Sequence, residues 1–220
     1  MIKIITSAIG QLLFPSRCPS CGAYTEREGQ WCSGCLHELL RIDTLTYDAG
    51  VREYISPVFA VARYEKGLRR LIHELKYDGR LSSLKYLPPL FEALDATWQF
   101  DGFDAFIPVP LHEKKLKLRG FNQVEKIFQP WLLQHGFRYS DVLLRTKQTH
   151  SQYSLNRLER KQNLRSAFAL KPDASVKNMH CLLLDDIFTS GSTMSGCAQA
   201  LLAGGAASVS GLVLASEADS

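Results

Sequence analysis

Leu182-Leu183-Leu184-Asp185-Asp186-Ile187-Phe188-Thr189-Ser190-Gly191-Ser192-Thr193 is the stretch that decides the fold. Cys181 to Leu184 form a nearly continuous apolar strand, the kind a parallel sheet buries on both faces. The strand delivers two carboxylates at its C-terminal end, and a hydroxyl-rich loop follows. Met194, Cys197, Ala198, Leu201 and Leu202 then recur at helical spacing, Gly204-Gly205 stops the helix, and Val209 to Leu214 read as the next strand. Strand, helix, strand in so short a span is a βαβ unit, so the sequence predicts an α/β fold with a mainly parallel sheet.

The chemistry of the loop follows from its residue types. Backbone N–H groups, Ser and Thr hydroxyls and a helix N-terminus together make a cup for a phosphate monoester. Gly191 allows close approach or a positive φ. Asp185 and Asp186 repel phosphate oxygens, but they can accept hydrogen bonds from two vicinal sugar hydroxyls or hold a cation beside them. A ribose 5-phosphate fits that combination. A turn with a helix cap, after a solvated strand end, fits the same residues. Neither GxxxxGK[ST] nor GxGxxG is present here, which removes the P-loop and dinucleotide readings.

Outward from this unit the chain alternates strand and helix. Val58 to Ala62 and Ala105 to Val109 are short apolar strands, the second ended by Pro110. Leu68, Leu71, Ile72 and Leu75 make one helical stripe; Phe121, Val124, Ile127, Trp131 and Leu132 make another, which Pro130 is expected to kink. Pro88-Pro89 is expected to interrupt a helical run reaching about Trp98. Val142 to Leu144 suggest a further strand, and Leu155 and Leu158 begin a charged helix with a thin apolar face.

Cys18-Pro-Ser-Cys21 and Cys32-Ser-Gly-Cys35 stand ten residues apart. Each CxxC turn aims two thiolates at one point, and the pair of turns completes a tetrahedron for zinc. Four sulfurs leave no open position, so the site is predicted to be structural rather than hydrolytic. Trp31, Gly22, Gly29 and Gly34 suit a small knuckle whose folding leans on the metal. Cys181 and Cys197 lie inside apolar segments and read as buried thiols. This usage suits a reducing compartment, and cytoplasmic location is the expectation.

The chain has 220 residues, 45% of them hydrophobic, enough for a sizeable core and too many for intrinsic disorder. No stretch approaches the ~18 apolar residues of a membrane span. Met1 to Phe14 lack a cleavage pattern and are expected to form a short helix packed on the body. The net charge of +4 hides an uneven distribution: His112 to Arg165 carry 12 basic and 4 acidic side chains, net +8, against 14 and 18 elsewhere, net −4. Lys114, Lys115, Lys117 and Arg119 form one dense run; Arg145, Lys147, Arg157, Arg160, Lys161 and Arg165 form the second. Solvated helix faces account for many such runs, but the excess also suits a second polyanion, single-stranded nucleic acid above all. Phe121 and Trp131 fall on an apolar stripe and belong to the core, Tyr153 is freer to stack on a base, and His73 and His150 read as structural or exposed.

The twelve-residue run resembles the phosphoribosyl-pyrophosphate (PRPP) motif of type I phosphoribosyltransferases. With the cysteine module, Leu75-Lys76-Tyr77-Asp78-Gly79-Arg80, Val109-Pro110, Arg119-Gly120-Phe121-Asn122-Gln123 and Arg145-Thr146-Lys147-Gln148-Thr149, the whole chain resembles the ComF (competence protein F) family. The resemblance implies a Rossmann-like type I phosphoribosyltransferase core over residues 46–220 behind a zinc module over 1–45. It implies that Asp185 and Asp186 hold the ribose hydroxyls and that Thr189, Ser190, Gly191, Ser192 and Thr193 hold the 5′-phosphate. The turn at Pro110 meets the pyrophosphate with Mg²⁺, and Arg119, catalytic with Asp185 and Asp186, neutralises phosphate. Asn122 orients a closing loop, Lys76 reaches the pocket, and Lys147 sits in a hood over residues 145–165. It further implies PRPP binding in DNA uptake during natural transformation, with single-stranded DNA on Lys114, Lys115, Lys117, Arg157, Arg160 and Lys161, and with partners such as a helicase or recombination mediator. An active phosphoribosyltransferase with an unidentified acceptor, and a PRPP-sensing regulator that touches no nucleic acid, are the alternatives. Against transfer stands Thr189, where related salvage enzymes place a carboxylate.

Overall fold

A computed structural model describes residues 15–146 and 167–217. The expected N-terminal helix, the helix begun by Leu155, and Lys147, His150, Tyr153, Arg157, Arg160, Lys161 and Arg165 lie outside the described residues. In chain order the elements are α1 (Ser33–Leu39), β1 (Leu40–Thr44), α2 (Ala49–Arg52), β2 (Val58–Arg63), α3 (Lys66–Tyr77), a 3₁₀ turn (Leu81–Tyr86), α4 (Pro88–Asp95), β3 (Ala105–Pro108), α5 (Glu113–Arg119), α6 (Gln123–His135), β4 (Leu143–Arg145), β5 (Phe168–Leu170), β6 (His180–Phe188), α7 (Ser192–Ala203) and β7 (Ser208–Ser216).

The main sheet has the order β1-β2-β7-β6-β3. β2, β7, β6 and β3 run parallel, and β1 closes the edge antiparallel to β2. The expected βαβ unit is β6-α7-β7, in register from His180↔Ser208 to Phe188↔Ser216. β4 and β5 form a separate antiparallel ribbon whose ends, Arg145 and Phe168, pair with each other.

The pleat sorts the core onto two faces. Leu182, Leu184, Leu212 and Leu214 pack with α3, α4 and α6, while Cys181, Leu183 and Val213 pack with Met194, Cys197 and Leu201 of α7. Each such aliphatic chain contributes about 1.5–3 kcal/mol by leaving water. On the first face Trp131, 3% exposed, stacks on Phe91, meets Phe100 and Phe106 edge-on, and donates to Asp95 over 2.8 Å, which explains its place in the core.

Several boundaries differ from the sequence reading. Pro88 and Pro89 begin α4 rather than interrupt a helix, because a first helical turn has no use for their missing N–H. α6 carries Pro130 in its interior and still continues to His135. β6 runs on through Asp185 and Asp186 to Phe188, since β7 pairs with it all the way. Among the described residues no helix is long and apolar enough to cross a membrane.

Candidate functional site

The four clustered cysteines come together. Arg17 bridges Tyr24 across a turn in which Gly22, at φ 76°, sends its N–H to the Cys18 carbonyl over 3.0 Å. Cys32 opens α1, so the second CxxC lies on a helix start. The four sulfurs lie within 4.8 Å of one another, and those of Cys21 and Cys32 are 3.6 Å apart. A tetrahedron with ~2.3 Å metal–sulfur bonds has edges of about 3.8 Å, so the donor set fits zinc. The thiols are unequal: burial raises Cys18, but N–H groups of Cys21, Cys32 and Ser20 outweigh it and bring the thiol down to about 6. Burial and the neighbouring sulfurs push Cys35 up to about 12. A divalent cation removes the repulsion that keeps four thiolates from coexisting. The module is seated on the body by Arg70 on the Pro19 carbonyl and by Trp31, whose indole N–H donates to the Tyr86 carbonyl over 2.8 Å. Gly67 allows that seating, because a Cβ there would come within 2.8 Å of Pro19 backbone.

The second site lies at the C-terminal ends of the parallel strands. Asp185 and Asp186 are 9% and 3% exposed, so the strand end is not solvated. Successive strand residues point to opposite faces. Asp186 turns toward α3, where Lys76 Nζ stands 2.9 Å from both carboxylate oxygens. Only Oδ1 lies in hydrogen-bond geometry; buried Oδ2 is close to the ammonium but has no hydrogen-bond partner among the described residues. Asp185 turns toward α7, near Arg145 and Cys197, and accepts the Asp186 N–H over 2.9 Å. Burial, then the Asp186 charge, push Asp185 up to about 8 against the pull of that N–H and Lys76. Burial and Asp185 also raise the Cys197 thiol far above its ordinary value, and burial raises Cys181 to about 11, in keeping with inert interior thiols.

Cations from three elements converge here. On α5, Lys115 and Arg119 are one turn apart and share a face. Partial burial lowers Lys115, and so do the charges of Arg145, Arg119 and Lys76 around it. Burial likewise lowers Arg119, opposed by nearby Asp186. Lys114, Lys115 and Lys117 are all exposed, Lys117 paired with Glu113, and Arg119 alone of the run is half-buried. Asn122 caps α6 by accepting the Val124 N–H over 3.0 Å and gives its amide to the Val109 carbonyl over 3.1 Å. Val109 in turn donates to Leu184 over 2.8 Å, fixing the buried Pro110 turn beside β6.

The hydroxyl-rich loop joins β6 to α7. Thr189 and Ser190 are exposed, Ser192 and Thr193 half-buried. Gly191, at φ 71°, begins α7; a Cβ there would lie 2.6 Å from the Phe188 ring and 2.9 Å from Val51. Ser190 and Ser192 hydroxyls are 2.9 Å apart. Arg145, expected in the second basic run and at the start of the hood, is a half-buried residue on the β4 end whose guanidinium lies 5.3 Å from the Phe168 ring. Sequence reading missed the pairing of β4 with β5 that holds Arg145, because that ribbon joins residues distant in the chain.

Residues 9–45 match the model of a double zinc ribbon domain, which accords with the cysteine geometry. The chain is 34% identical over 201 residues to the DNA utilization protein YhgH of Shigella flexneri, covering 87% of this chain and 80% of the relative. It is 29% identical to competence protein F of Haemophilus influenzae, covering 81% and 75%. The chain belongs to the ComF/YhgH family. Among solved structures, an adenine phosphoribosyltransferase from Leishmania tarentolae aligns with 62% of this chain and 75% of its own at 14% identity and a TM-score of 0.36.

Proposed function

We propose that this protein binds PRPP at the C-terminal edge of its parallel sheet and serves DNA uptake. The observation that supports the reading is the Asp185–Asp186 pair at the C-terminal end of β6, with a hydroxyl-rich loop opening α7 directly after it and Lys76, Arg119 and Arg145 acting on the two carboxylates. The N–H groups at the start of α7 and the hydroxyls of Ser190, Ser192 and Thr193 take the 5′-phosphate. Lys115, Arg119 and Arg145 face the pyrophosphate end, where Lys76 also contributes charge while holding Asp186. Magnesium on the pyrophosphate adds charge neutralisation that these side chains complement. Asp185 and Asp186 accept the ribose hydroxyls, and the Asp185 charge also acts on Arg145.

The DNA side of the reading rests on the relatives named for DNA utilization and competence. Lys114 and Lys117, exposed on α5, offer a place for a polyanion outside the pocket. The division into a zinc module over residues 1–45 and a phosphoribosyltransferase-like domain over 46–220 belongs to the same proposal, with β1 stitching the two by joining the main sheet. Thr189, an exposed hydroxyl rather than an acid, favours a binding role over transfer. Calorimetric titration with PRPP and Mg²⁺ tests the reading. Saturable binding lost in Asp185→Asn/Asp186→Asn is expected; absence of binding by the wild type refutes it.

A further inference from the structure

His73, Lys76 and Tyr77 fall at i, i+3 and i+4 on the last turns of α3. Lys76 points inward to Asp186 over 2.9 Å, which fixes the rotation of the helix and leaves its neighbours at the rim of the site. Tyr77 is 71% exposed, and its ring lies 4.5 Å from that of His73 at 40°. Leu81, 47% exposed, extends the apolar surface beyond the Gly79 turn. Arg119 feels the charges of both Asp186 and Tyr77, so the exposed ring and a cation share this end of the site.

A flat aromatic face next to cations is what a nucleobase linked to phosphate requires: the base stacks and the phosphate is neutralised. An apolar peptide would meet charge on that side. We infer that Tyr77, backed by His73, is a stacking platform for a nucleobase whose phosphate lies against Arg119 and Lys115. The inference rests on the reading of this strand edge as a phosphate site, and it adds a place for a nucleobase at the rim of that site. A free nucleotide and one unit of a single strand share this chemistry.

The test compares a labelled short oligothymidylate, an abasic strand of the same length and thymidine monophosphate, on wild type, Tyr77→Ala, Tyr77→Trp and His73→Ala. Tyr77→Ala should weaken oligothymidylate binding about 5- to 150-fold, the range for one stacked base. Tyr77→Trp should retain it, and His73→Ala should give a smaller loss. The abasic strand should bind weakly and equally to all four proteins. A parallel loss of the monophosphate assigns the platform to a free nucleotide, and loss confined to the oligonucleotide assigns it to a strand. Equal binding of oligothymidylate by wild type and Tyr77→Ala, equal binding of the abasic strand and oligothymidylate, or no binding of any base-bearing probe overturns the platform. PRPP titrated into the same proteins should bind unchanged; its failure on wild type strikes the earlier reading and leaves the stacking result to stand by itself.

Discussion

Replacing Lys76 by methionine isolates the ion pair on which the strand-end site is built. The side chains of Lys76 and Asp186 are 19% and 5% exposed, with 2.9 Å between the charges. Removing one partner of a buried pair costs about 3–5 kcal/mol, because the other charge stays behind; residual exposure of Lys76 puts this case near the lower end, about 3 kcal/mol. In a chain of this size that lowers the melting temperature by roughly 6–12 °C. The deficit also depends on pH through Asp185, which burial and Asp186 already hold up at about 8 and which Lys76 pulls down. A carboxyl raised above its unfolded value contributes stability fully present below the unfolded pKa and lost as pH rises through the folded one. Without Lys76 the folded value rises further, so the deficit should widen from about pH 6 to about pH 9. Urea unfolding of both proteins at the two pH values measures it, and Asp186→Asn added to Lys76→Met should recover much of the loss. A deficit under about 0.5 kcal/mol, the ordinary effect of a surface substitution, would refute the reasoning.

Zinc analysis of the reduced protein should give one bound ion per chain, lost in Cys18→Ser, with Trp31 fluorescence shifting as its seat on Tyr86 loosens. Gly191→Ala should destabilise by ~1–2 kcal/mol for a left-handed backbone and ~1–3 more for the clash with Phe188 and Val51, read by chemical denaturation; an unchanged midpoint contradicts the loop geometry. Asp185→Asn removes a carboxyl held up at about 8, so its stability relative to wild type should improve as pH climbs from about 4 to about 8, read by thermal melts across that window.

Much of this was legible in the chain because local rules agree with tertiary ones. The run from Cys181 to Leu214 carries its own strand, turn and helix punctuation, and the structure builds β6-α7-β7 from it. The two CxxC turns were equally plain, since four sulfurs at that spacing have few other uses. What escaped notice depends on partners distant in sequence. β6 extends past the aspartates only because β7 is there to pair with it, and β1 is a strand only because β2 offers an edge. Lys115 feels the charges of Arg145, Arg119 and Lys76, which come from three elements, and those of Arg145 and Lys76 cannot be read from its own run.

The placement of PRPP is tested most directly by phosphorus NMR of PRPP with Mg²⁺ and the protein, in which the 5′-phosphate and the pyrophosphate give separate signals. The account predicts that both shift with wild type, that Ser190→Ala/Thr193→Val releases the 5′-phosphate signal alone, and that Lys115→Ala releases the pyrophosphate signals alone. Signals that stay at their free positions under saturating protein, or that respond identically to both variants, would contradict it.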